Sequence, residues 1–145
     1  MNHKQQTFLK RLVAAALLGA AALAQAQVAV IVNPKNPAGE MTADQVSSIF
    51  LGKSNTLPGG ATAAPADLPE GSPVRDKFYG SVTGKQAAQV KAAWSRLVFS
   101  GKATPPKELG NAADVKKFVA ANPDAIGYIE KSAVDPSVKV VLSVN

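Results

Sequence analysis

The run Val28-Ala29-Val30-Ile31-Val32 constrains the fold more than any other stretch of the chain. Its apolar residues are mostly β-branched and do not alternate with polar ones, so a strand made from them has no face to offer to water. Such a strand has to be covered on both sides, as in a parallel sheet. Ala125–Ile129 and Lys139–Val144 predict two further short strands, and Ala61–Ala66 a weak one with Pro65 near its end. Helical spacing fills the gaps between them. Thr42 and Gln45 form a capping box, Met41 and Val46 a hydrophobic staple, and Gly52 a stop, with Val46, Ile49 and Phe50 facing inward. Lys85–Ser100 is a second helix with Val90, Trp94, Leu97 and Val98 on its buried face and Gly101 closing it. Asn111 caps another, with Val115, Phe118 and Val119 inward and Asn122-Pro123 ending it. Ala103-Thr-Pro-Pro106 reads as a rigid loop. Strands alternating with helices predict an α/β fold, a mostly parallel short sheet flanked by about four helices.

The first 26 residues carry a different pattern. Lys4, Lys10 and Arg11 precede an apolar block from Leu12 to Leu23, and Ala24-Gln25-Ala26 follows. A positive start, a short apolar middle and an A-x-A site describe a secretory signal peptide at 1–26, cleaved after Ala26. The block is too short to be a membrane anchor, for which about 20 apolar residues are needed. The expectation is an exported, periplasmic domain at 27–145 with no membrane anchor after cleavage.

Composition then narrows the chemistry of 27–145. Its net charge is +3, from 13 Lys and Arg against 10 Asp and Glu, and the cations are scattered. A nucleic-acid surface asks for a basic patch or a recognisable module, and neither is visible. The single histidine is His3 and cysteine is absent. Residues 27–145 therefore cannot build a Ser-His-Asp or Cys-His nucleophilic site, nor offer the usual ligands of zinc or copper. No calcium loop is present either. The expectation is a protein that is not an enzyme and uses no cofactor or metal.

One stretch localises a ligand hypothesis, Asp67 to Tyr79. Gly71 turns the chain, Ser72 caps a helix and Pro73 occupies its first position, where a missing N–H costs nothing. Val74, Phe78 and Val82 recur as a buried face. A helix start behind a glycine is either an ordinary cap or half of an oxyanion site, because free amides and the macrodipole point the same way. Arg75 in the first turn opposes that dipole. Either an oxyanion or a salt bridge to Glu70 or Asp76 would account for it. Gly127, inside a strand, implies close approach by another backbone or by a ligand.

Three segments in order carry a resemblance: Ile49-Phe-Leu-Gly-Lys53, Glu70-Gly-Ser72, and Pro123-Asp-Ala-Ile-Gly-Tyr-Ile129. They resemble the phosphate-type substrate-binding proteins of ABC transporters, in the type II periplasmic binding protein superfamily. The resemblance runs over nearly all of 27–145 but matches a single lobe, where full-length members clasp the ligand between two. It implies a periplasmic-binding-protein-like lobe that binds phosphate or another oxyanion. Gly71 and Ser72 stand where the family has its Gly-Ser, and Gly127 and Tyr128 match a segment near the ligand. It also implies an ABC transporter, a second protein lobe or a homo-oligomer as partner. Pro73 and Val74 replace a glycine and a threonine of the family pattern, and Leu68 stands where the family has arginine. Those departures motivate an alternative, a non-transporting interaction module that keeps the lobe without the ligand site.

Overall fold

The computed structural model describes residues 27–145, and the expected signal peptide lies outside them. The run Val28–Val32 is strand β1, buried along its whole length. It is followed by α1 (Ala43–Phe50), β2 (Ala64–Asp67), α2 (Pro73–Thr83), α3 (Ala87–Phe99), β3 (Lys107–Glu108), α4 (Ala112–Ala121), β4 (Ala125–Glu130), a short 3-10 turn (Lys131–Ala133) and β5 (Lys139–Val144). The fold is α/β. Its five strands lie in the order β3-β2-β4-β1-β5. β2 runs parallel to β3 and β4, whereas β1, expected from its apolar run to be a parallel-sheet strand, is antiparallel to both β4 and β5, because burial on both faces does not fix strand direction. Every strand except β1 therefore points the same way. Pro65 is tolerated in β2 because β3 pairs only with Ala66 and Asp67, leaving no neighbour beside the proline on that flank.

Helices cover both faces, which is what the apolar character of β1 demanded. Successive residues of a strand point to opposite faces. On β4 the Tyr128 side stacks on Phe78 of α2, with ring centroids 4.0 Å apart and planes within 6°. The Gly127 side faces Val115 and Val119 of α4. Phe50 of α1 meets Phe78 edge-on at 4.8 Å and completes an aromatic core.

The helix ends follow local chemistry. Thr42 and Gln45 form the expected reciprocal capping box. Gly52 leaves α1 at φ 74°, and a side chain there would strike Trp94 and Leu97. Trp94 is a core anchor, its Nε1 donating to the Phe50 carbonyl at 2.8 Å. Two buried asparagines tie the loop after β1 to the end of α4: Asn33 Nδ2 donates to the carbonyls of Val119 and Ala120, and Asn36 Nδ2 to that of Pro123.

Two expectations about faces need correction. On α2 the buried positions are Arg75, Phe78, Tyr79 and Val82, and Val74 is only half-buried. The helix turns so that both aromatic neighbours, Phe78 and Tyr79, enter the core. On α3, Val98 is half-exposed instead of buried, because the loop after the helix leaves an open cavity there. The expected loop at 103–106 is present, and it leads into β3, a two-residue edge strand too short and polar to show a strand pattern.

Candidate functional site

Two cavities open on either side of the stretch that begins at Asp67. The strand β2 ends at Asp67, whose carboxylate is only 5% exposed. Burying a charge is costly unless donors replace its water, and here they do. The Tyr79 hydroxyl donates to Oδ2 at 2.7 Å, the Tyr128 hydroxyl donates to Oδ1, and the Leu68 amide reaches Oδ1 at 2.9 Å. Arg75 Nη1 stands 3.6 Å from Oδ2 and donates to the Leu68 carbonyl at 2.8 Å. The Arg75 guanidinium also lies over the Tyr79 ring, 5.4 Å from its centroid. Burial, then the neighbouring Asp67 charge, pushes both phenols well above the usual tyrosine range.

Arg75 is thus paired with Asp67, not with Glu70 or Asp76. Glu70 instead faces Lys91 at 4.0 Å on the surface.

Ser72 begins α2 as its cap, Oγ accepting from the Arg75 amide at 3.3 Å. It lines a cavity of about 380 Å³ with Leu68, Pro69, Val74, Asn111 and Glu130. Two helices start at this cavity, α2 capped by Ser72 and α4 by Asn111, whose Oδ1 accepts from the Asp114 amide at 2.9 Å. The amides of Val74 and Ala112, which both line it, have no acceptor among the described residues. They give the cavity a positive polarity that Glu130 partly offsets.

The other cavity, about 430 Å³, is lined by Asp67, Arg75, Val90, Trp94 and Val98 among others. Ser72 and Arg75 therefore open to different spaces and meet only through the cap. Gly71 turns the chain at φ 86° and lines neither cavity. Gly127 and Tyr128 are buried and line neither. A methyl group on Gly127 would come within 2.7 Å of Val115 Cγ1, so its close approach is to a helix packed on the sheet.

No family model and no curated protein matches the chain. Solved structures do. A protein from Clostridium perfringens, described as a phosphate ABC transporter substrate-binding protein with bound phosphate, is 29% identical with a TM-score of 0.65. The match covers 79% of this chain and 43% of that one. An ABC-type phosphate transport receptor from Vibrio cholerae is 21% identical with a TM-score of 0.64, over 79% of this chain and 44% of the other. The chain has the fold of one lobe of a phosphate-type substrate-binding protein. It spans less than half the length of those structures.

Within this lobe, sequence reasoning passed over two residues. Asp67 stood at the start of the focal stretch, but its role depends on tyrosines 12 and 61 residues away. Asn111 read only as a cap, and nothing local announces that its helix starts beside that of Ser72. Among the described residues no group of His, Cys, Asp and Glu is arranged to hold a metal ion. None of the described helices is long and apolar enough to cross a membrane.

Proposed function

We propose that the chain is an exported, periplasmic substrate-binding-type protein, cleaved after Ala26 and working as residues 27–145, that takes phosphate or another oxyanion at the helix N-terminus following Gly71 and Ser72. The observation that carries this reading is the likeness, at 29% identity, to a protein described as holding phosphate. The amides of Val74 and Ala112, both lining one cavity, supply suitable donors. Half a site open to water binds weakly, because hydrogen bonds to an anion are worth less there than in a closed cleft. An ABC transporter, a second lobe or another copy of the chain would complete it. In this reading Arg75 acts from behind the helix start, and Gly127 and Tyr128 hold β4 in place beneath it. The experiment is a thermal melt of residues 27–145 in phosphate, sulfate and chloride at matched ionic strength. A ligand at about 100 times its Kd adds about 2.7 kcal/mol of stability. A saturable rise with one oxyanion supports the reading, and a flat response to all three removes it.

A second reading is a non-transporting interaction module that keeps the fold without the ligand. Specific observations favour it: Ser72 Oγ is spent on the cap, Pro73 brings no amide, and Arg75 is held by Asp67 and Leu68. Cross-linking in periplasm followed by a pull-down should then recover a stable protein partner, and recovery of none counts against it.

A further inference from the structure

We infer that the cavity between α3 and the loop before β3 is a second ligand site, for a small carboxylate that carries an apolar body. Its volume, about 430 Å³, is in the range that accommodates small molecules. The walls are Val90, Trp94, Val98, Phe99, Pro105 and Pro106. Phe99 is 97% exposed and Val98 49%, so this wall leaves apolar surface in water that an apolar ligand body would cover.

The head group is specified by Arg75, which is 8% exposed and lines the same cavity. Its Nη1 is committed to the Leu68 carbonyl and Asp67. Nε and Nη2 have no acceptor among the described residues. Yet among the described residues no fully buried side-chain nitrogen or oxygen lacks a partner, so neither of these two nitrogens is sealed from solvent. Together they form the side edge of the guanidinium, whose paired donors match the two oxygens of a carboxylate.

The acids around the cavity leave room for that anion. Asp67 is filled by the two tyrosine hydroxyls, the Leu68 amide and Arg75. Glu70 is offset by Lys91 at 4.0 Å, and Glu108 stands exposed on the edge strand. This site is separate from the Ser72 cavity and does not depend on phosphate binding there.

The test is an NMR titration of the purified protein with phenylacetate. It is followed at the Arg75 Nε–H and at the indole N–H of Trp94, the chain's single tryptophan. Both signals should move saturably. Phenylacetamide, which keeps the ring and loses the charge, should bind weaker by about tenfold or more. Ser95→Leu, an exposed position on the cavity wall, should weaken phenylacetate to a similar degree by filling the space while leaving the Asp67 pairing intact. Inorganic phosphate should leave both signals in place, and its own effect is read at the amides of Val74 and Ala112, so the two sites succeed or fail separately. The inference is overturned if phenylacetate gives no saturable shift up to its solubility, if the amide binds as well as the acid, or if Ser95→Leu binds unchanged.

Discussion

The Tyr79 hydroxyl donates to Asp67 Oδ2 at 2.7 Å across twelve residues of sequence. That bond joins the end of β2 to the middle of α2, and Tyr128 joins the same carboxylate to β4. Three elements thus converge on one buried charge, directly beneath the loop that carries Gly71 and Ser72. The loop's position is therefore set by the core, through Leu68, whose amide and carbonyl are both held by this cluster.

Removing one phenol should be costly because the carboxylate stays. Tyr79→Phe is expected to destabilise by about 1.5–3 kcal/mol, the worth of a hydrogen bond to a charged group. Asp67→Asn should cost more, about 3–5 kcal/mol, since it strands the buried Arg75 charge and turns an amide donor towards other donors. Urea midpoints of the two variants give both numbers, and the order should be Asp67→Asn below Tyr79→Phe below the parent.

The two tyrosines of the chain are Tyr79 and Tyr128, so phenol absorbance reports on this cluster alone. In the folded protein both are raised above the ordinary value of 10.0. The unfolded chain gives up those protons near pH 10 while the folded chain keeps them. Their contribution to stability is therefore complete below about pH 10 and is lost progressively above it. The melting temperature should fall steadily above that pH, and tyrosinate absorbance should appear together with the unfolding transition. A separate phenol titration in protein that is still folded would contradict the arrangement.

Gly127→Ala should destabilise by about 1–3 kcal/mol, because the added methyl lands 2.7 Å from Val115 Cγ1 in a filled interior. Val115→Ala should itself be destabilising but should relieve the clash, so the double variant is expected to lose less than the sum of the two. Strict additivity in the cycle would show that α4 does not approach β4 this closely.

The architecture was legible in the chain because its signals are local. The unbroken run of β1, the capping box at Thr42 and the stops at Gly52 and Gly101 each act within a few residues, and each is present. The candidate site was less legible. Ser72 as a cap could be read from its neighbours, but the partner of Arg75 could not, since Asp67 is claimed through the sheet's pairing with β4. The stretch suggested Val74 for the buried face, and the cation beside it is buried instead, which apolar periodicity cannot reveal. The opening beside Val98 depends on the path of the loop through Pro105 and Pro106, and no periodicity encodes that path.

Ser72→Asp separates the structural role of the cap from its proposed role in binding. Aspartate caps a helix about as well as serine, and its charge suits the N-terminal dipole, so stability should hold within about 0.5 kcal/mol or rise. Ser72→Ala, by contrast, should cost about 0.5–2 kcal/mol through the lost bond to the Arg75 amide. An added carboxylate at the same cavity repels an oxyanion, so any phosphate-induced rise in melting temperature should vanish in Ser72→Asp while the fold is preserved. If Ser72→Asp is as stable as the parent and still responds to phosphate, the anion binds elsewhere. If Ser72→Asp loses as much stability as Ser72→Ala, the position is not acting as the cap that its geometry describes.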